Sequence, residues 1–424
     1  MKAKHYEKIG ETVCATRLPN GLQLYVVPRP AYAKQFAFFA TNYGGNDLNY
    51  QWDGQKREVP AGTAHFLEHK LFDTADGGAD LQLAAKGAIS NAFTSPSMTA
   101  YFFECTEHFY ENLDILLRFV LEPYFTTASV QKEQGIIGQE IEMGADDPDT
   151  QVYYQLIECL YQNHPIKDRV IGTAESIAQL TPECLYACHE AFYHLDNMVL
   201  CVAGDVSPEE VEKHATQVTQ KKGTFLHEAY PKEPRLPLRR RAETEMEVSA
   251  PQFLLGFKGP AETKDPLLEE IQAELALAML CGKSSALYAS LYEQGLIDKQ
   301  FGYGFERYPG CSYYVLGGES KDPDAVVRAI AERRKEILKE GLDEAAFERL
   351  KKASFGKRVQ GLDSMETVCY SLAKGHFQRV DVLSFPEVYQ KVTAVSIEQV
   401  LQSAFAPEGS ALSVVVPTGR KGKE

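Results

Sequence analysis

With 424 residues, 44% of them hydrophobic, the chain exceeds one typical domain and can bury substantial cores, so two domains are expected. Its net charge of -15 argues against a nucleic-acid binder, which needs basic surface to release counterions, and no polybasic stretch suits an anionic membrane. No apolar run follows Met1, and no uncharged apolar run reaches the roughly eighteen residues of a spanning helix, so a cytoplasmic location without signal peptide or membrane span is expected. Nine cysteines, an odd number with no C-x-x-C pair, suit reduced thiols better than a disulfide framework.

In chain order, residues 35–40 (Gln-Phe-Ala-Phe-Phe-Ala) read as a strand. Residues 65–69, His-Phe-Leu-Glu-His, follow. A helix puts residues i and i+4 on one face, so His65 and His69 can reach one ion while Glu68 borders that face. This is the layout of a zinc hydrolase, in which three protein ligands hold the metal, a fourth position takes water, and a carboxylate removes the water's proton. Residues 87–95 are a run of small residues leading into the β-branched and aromatic segment 99–105, which predicts a hairpin. If its outer strand is a sheet edge, it can bind an extended peptide through main-chain hydrogen bonds.

The segment 130–143 spaces Glu133, Ile136, Ile137, Glu140 and Met143 at i, i+3, i+4, i+7 and i+10, which predicts two carboxylates on the inward stripe of a helix. Buried carboxylates need a cation, and an ion already held by two histidines provides one. Glu140 is assigned as the third ligand and Glu133 as the carboxylate that orients a histidine, with the reverse assignment left open. Glu142 points elsewhere. Further on, Cys184, Cys188 and His189 could meet on a helix but make a poor second metal site. Between Lys221 and Glu247 the prolines and the Arg239-Arg240-Arg241 run predict a linker, giving domains at 1–220 and 248–424. The halves echo one another. Thr181-Pro182-Glu183 leading to the apolar run 198–204 resembles Ser396-Ile397-Glu398 leading to 411–416, and the strand-like 252–257 answers 35–40. The expected fold is α+β, two tandem homologous domains, each a mainly antiparallel sheet with helices on one face.

These residues resemble the pitrilysin/insulysin zinc metallopeptidases, the inverzincins, whose inverted H-x-x-E-H motif is followed by two glutamates seven apart. Leu18-Pro19-Asn20-Gly21-Leu22 and Ser90-Asn91-Ala92-Phe93-Thr94 are similar to further stretches of that family. The resemblance covers nearly the whole chain and is nearest to a half-size bacterial member similar to the catalytic subunit of the mitochondrial processing peptidase. It implies one Zn2+ per chain on His65, His69 and Glu140, Glu68 as the general base, Glu133 behind a histidine, and peptide held along Asn91 and Ala92. The implied activity is endoproteolysis of short or unfolded peptides.

The second half carries no metal motif. Where family members contribute an arginine in a Ser-Ser-Arg-Leu-like segment this chain has Ala286, and where they contribute a tyrosine it has Asp298. Arg307-Tyr308 lies on a different part of the pattern. The resemblance therefore implies a heterodimer with a paralogous noncatalytic subunit that supplies both groups, with a homodimer also open. The alternatives are a noncatalytic structural subunit of the same fold and a zinc hydrolase of non-peptide carbonyls.

Overall fold

A computed structural model describes residues 1–218, 225–227 and 229–419. The chain forms two compact units, residues 1–141, 168–229 and 358–384 in the first and 142–167, 230–357 and 385–424 in the second. Each half of the sequence thus builds most of one unit and lends a helical segment to the other. Part of the expected 221–247 linker, residues 221–224 and 228, lies outside the described residues. Its end is not linker at all, because Arg241–Met246 is a strand of the second unit's sheet.

The first unit is built on a seven-stranded sheet in the order Lys2–Tyr6, Glu11–Arg17, Gln23–Pro28, Met198–Gly204, Gln35–Thr41, Thr99–Cys105, Ile89–Thr94. All neighbours run antiparallel except Met198–Gly204 beside Gln23–Pro28. The second unit repeats the scheme with five strands, Arg241–Met246, Ser410–Pro417, Gln252–Lys258, Cys311–Glu319, Gly302–Tyr308, and again its last strand in sequence makes the one parallel pair of the sheet, here with Arg241–Met246. The duplication extends to the caps. Thr181 caps the helix Pro182–Phe192 and Thr393 caps Ala394–Ser403, and in each half the next sheet strand starts 17 residues after the cap (198 − 181 and 410 − 393). The register of the echo therefore pairs Thr181 with Thr393 rather than with Ser396, which is instead the third helical residue of that capping box.

The α+β, two-domain architecture is as expected, and the helical layer on one sheet face is present. The opposite face is not bare. Strand alternation sends Ala37 and Phe39 to the main core and Phe36 and Phe38 to the other side, where Phe38 packs with Phe93, Phe102 and Tyr370. Tyr370 belongs to the helix Met365–Gln378, the segment lent by the second half. In the second unit the lent helix is Pro148–Leu160, whose Leu156 and Leu160 lie over Gly256, where a Cβ would meet both at 2.9 Å. A two-sided apolar sheet must be covered on both faces, and each half supplies the cover for the other.

All nine cysteines are unpaired, seven of them buried. No helix among the described residues is long and apolar enough to cross a membrane.

Candidate metal centre

The motif 65–69 lies on the helix Thr63–Leu71. Phe66, Leu67 and Lys70 turn into the core, while His65, Glu68 and His69 share the half-buried face. The helix starts at Gly62, held at φ 94°, where an added Cβ would stand 2.7 Å from the Ile171 carbonyl oxygen; only glycine fits.

The carboxylates come from the helix Thr127–Asp146. Its inward stripe is Val130, Glu133, Ile137 and Glu140, with Ile137 fully buried. The expected inward placement of Ile136 and Met143 is wrong: they are 42% and 71% exposed. Counted from Val130, a 3.6-residue period passes through 133–134, 137 and 140–141, and Ile136 falls about a third of a turn off that line. The glutamate spacing was informative, but the two flanking apolar residues did not belong to the same stripe. Glu142 is exposed, as expected.

The two helices bring His65, His69 and Glu140 together, one ligand atom of each within 4.8 Å of the others, the one such cluster of three or more among the described residues. Glu140 Oε2 lies 3.9 Å from His65 Nε2 and 3.8 Å from His69 Nε2, too far for hydrogen bonds. The Glu140 side chain is partly exposed, yet its Oε2 is shielded from solvent and has no hydrogen-bond partner; His65 Nδ1 is likewise buried and unpartnered. A shielded carboxylate oxygen without a hydrogen-bond partner, facing two imidazole Nε2 atoms at such distances, suits a shared cation with bonds of about 2.0–2.2 Å, and two imidazoles with one carboxylate are a known catalytic zinc set. The residues fit the metal.

Glu133 takes the other side of His69. Its Oε1 is 3.0 Å from Nδ1, so Nδ1–H donates to the carboxylate and the lone pair of Nε2 is left facing Glu140. Burial, reinforced by nearby His69, pulls His65 down to about 4 and keeps it in the neutral form that ligates. Burial also opposes charge on His69, but the Glu133 contact and the carboxylates of Glu68, Glu140 and Glu133 outweigh it and raise the ring.

Glu68 does not join the ligand cluster. Burial raises its carboxyl, partly countered by a 2.7 Å hydrogen bond that the Thr94 hydroxyl donates to Oε2 and by His69. Thr94 ends the strand Ile89–Thr94, which among the described residues pairs only with Thr99–Cys105 and so forms the sheet edge. Alternation puts Ala92 and Thr94 on the side of the motif helix and Phe93 against the lent helix. Asn91 is exposed, and its side-chain oxygen accepts the Ala92 N–H at 2.9 Å. The sequence offered Thr94 within a family-like stretch but no hint of its partner, because the pairing joins residues 26 apart.

In the second unit Ala286 opens a helix capped by Ser285, and Asp298 closes a turn by accepting the Gln300 N–H. Arg307 is engaged internally with Glu269 at 2.6 Å and with the carbonyls of Pro260 and Ala261. Cys184, Cys188 and His189 share a helix, but His189 donates to the Val120 carbonyl at 2.8 Å and stacks on Tyr193.

Residues 55–174 match the profile described as insulinase (peptidase family M16), and residues 179–354 that of the M16 inactive domain. The chain is 36% identical to the uncharacterized zinc protease YmfH of Bacillus subtilis, covering 98% of this chain and 99% of that protein. It is 22% identical to the beta subunit of the mitochondrial-processing peptidase of Caenorhabditis elegans over 92% of this chain and 86% of that one. Among solved structures, an M16-like peptidase from Alicyclobacillus acidocaldarius superposes with a TM-score of 0.92 at 32% identity, covering 96% of this chain and 99% of that chain.

Proposed function

The chain belongs to the M16, insulinase-type peptidase family, and we propose that it is a zinc-dependent endopeptidase acting on short or unfolded peptides. One observation carries the reading: His65, His69 and Glu140 converge beside a separate carboxylate, Glu68, that is tied to an exposed sheet edge.

His65 and His69, through Nε2, and Glu140, through Oε2, would hold one zinc ion. When bound, zinc supplies Lewis acidity that lowers the pKa of a water and polarises a carbonyl. Glu68 takes the proton of the attacking water and returns it to the leaving amine. Burial raises its carboxyl, the direction that makes a carboxylate a better proton acceptor. Thr94 pins Oε2 and leaves Oε1 for that exchange. Glu133 fixes the His69 ring. The edge strand holds the substrate extended by main-chain hydrogen bonds along Asn91 and Ala92, which selects unfolded chains more than particular side chains. The seven buried, unpaired thiols suit a reducing compartment, and we place the protein in the cytoplasm.

We further propose a paralogous, noncatalytic partner in a heterodimer. Ala286 and Asp298 offer no donor for the scissile carbonyl, and Arg307 is committed to Glu269. Loss of one such donor costs on the order of a hundredfold or more in rate. The same two positions favour the competing reading, a structural subunit without turnover.

The test is cleavage of a pool of unstructured peptides by the zinc-loaded chain, read by mass spectrometry, with Glu68→Gln as the blank. Zinc bound by both proteins and cleavage by the wild type alone is the expected result. Equal cleavage by the blank refutes the role of Glu68. Bound zinc with no cleavage, even beside a candidate partner, favours the structural subunit.

A further inference from the structure

The second unit contains a cavity of about 720 Å³, within the size range of small-ligand sites. It lies in the second unit, and none of its lining belongs to the metal cluster. Leu268, Cys311, Tyr314, Val400 and Ala404 make it largely apolar, with Tyr161 at its wall.

The internal duplication explains why the space exists. Phe192 stands 11 residues after the cap Thr181, and Ala404 stands 11 residues after Thr393 (192 − 181 and 404 − 393), so the two positions correspond. In the first unit Phe192 stacks on Tyr43 at 3.7 Å and meets Tyr50 at 4.7 Å, both tyrosines being 1% exposed. Tyr43 and Tyr50 come from residues 42–62, between the strand Gln35–Thr41 and the motif helix. In the second unit the matching connection is only residues 259–265, and it lines the cavity through Gly259, Pro260 and Thr263. The phenylalanine has become Ala404, and residues 259–265 contain no tyrosine. What the first half fills with aromatic rings, the second half leaves open.

Counting Arg307, which pairs with Glu269 from outside the lining, four cations (Arg235, Lys258, Lys264 and Arg307) meet three carboxylates (Glu233, Asp265 and Glu269). Each of the carboxylates is engaged: Glu233 with Lys258 at 2.7 Å, Glu269 with Arg307 at 2.6 Å, and Asp265 with the Leu268 N–H at 3.1 Å. The two remaining cations, Arg235 and Lys264, form no ion pair among the described residues. An aromatic-sized apolar space whose surroundings carry one more cation than carboxylate, with Arg235 and Lys264 outside any ion pair among the described residues, selects a ring that carries an anion.

We propose that this cavity binds an aromatic carboxylate, whether a free small molecule or the C-terminal Phe or Tyr of a peptide. The proposal stands apart from the peptidase reading, since its measurement is binding and not turnover.

The full chain is titrated by calorimetry with N-acetyl-phenylalanine and its amide, and with a tetrapeptide ending in Phe and its amide. The variants are Ala404→Phe, which restores the ring of the first unit, and the pair Arg235→Glu, Lys264→Glu. Expected for the wild type is saturable binding of one or both carboxylates, each about tenfold tighter than its amide. A tighter peptide identifies a peptide terminus as the source, and equal affinities identify the free carboxylate as sufficient. Ala404→Phe should abolish binding of all four probes, and the charge-reversed pair should remove the preference for carboxylate. No saturation of the wild type at low millimolar probe, or wild-type binding by a folded Ala404→Phe, overturns the proposal. Should Ala404→Phe fail to fold, an undiminished carboxylate preference in the charge-reversed pair overturns it instead.

Discussion

Thr94 is where the sheet edge meets the reacting carboxylate. Its hydroxyl can donate only one proton, and the 2.7 Å contact to Glu68 uses it; Thr99, 3.5 Å away, is better engaged with the Tyr43 carbonyl at 2.9 Å. A hydrogen bond to a charged group contributes about 1.5–3 kcal/mol, and 1.4 kcal/mol corresponds to tenfold in rate. Thr94→Val should therefore lower kcat by about tenfold or more with KM little changed, and Thr94→Ser should restore most of it. A change confined to KM would show that Thr94 shapes the peptide track and leaves Glu68 alone. His189 is a second residue-scale test, set in the core. Burial pulls it from 6.5 down to about 4, against the Val120 hydrogen bond that works the other way. Between those pH values the unfolded chain binds a proton that the folded chain does not. Its contribution to stability is thus complete above about pH 6.5 and is lost as pH falls towards 4, by on the order of 3 kcal/mol in all. His189→Gln keeps a donor for Val120, so urea midpoints measured at pH 7.5 and pH 5 should differ less in this variant than in the wild type; equal differences would mean that other groups carry the acid loss.

At the scale of elements, the legible parts of the site were those written within one helix. Two histidines four apart and two glutamates seven apart state their faces through the helical period alone, and both pairs face inward as read. Ile136 and Met143 were misplaced because an apolar residue near a stripe is not on it, and nothing local distinguishes Ile136 from Ile137. Thr94 and the Gly62 start were not legible, since each depends on a neighbour distant in sequence. Gly62 and Gly172 interlock: at φ 94° and 80°, a Cβ on the first would meet the Ile171 carbonyl oxygen at 2.7 Å, and on the second the Ala61 carbonyl oxygen at 2.5 Å. Because Gly62 sets where the motif helix begins, Gly62→Ala should destabilise the protein by about 1–3 kcal/mol and weaken zinc binding with it. A lower urea midpoint with unchanged slope, together with faster zinc loss to a chelator, is the expected pair of readings; full stability would mean the loop yields without cost.

For the whole molecule, the repeat in the sequence announced two similar sheets but not the exchange of helices between the halves. Both versions of the fold, exchanged or not, satisfy the same local periodicities, and only the side of the sheet that needs covering decides between them. In the first unit that side is an aromatic surface of Phe36, Phe38, Phe93 and Phe102, and Tyr370 of the lent helix packs on it. The same segment is anchored at its start by Arg29, which is 8% exposed, pairs with Glu11 at 2.7 Å and donates to the carbonyls of Leu362 at 2.6 Å and Asp363 at 3.4 Å. Removing the segment would leave the rings in water and a buried guanidinium without two of its acceptors, each a substantial cost. A fragment of residues 1–218 should therefore be a compact but unpacked state, binding a hydrophobic dye and lacking near-ultraviolet dichroism. Co-expression with residues 229–424, which carry the helix Met365–Gln378, should restore cooperative unfolding and zinc binding. Cooperative unfolding of the short fragment by itself would show that the main core on the other side of the sheet is sufficient, and that the exchanged helix follows folding rather than completing it.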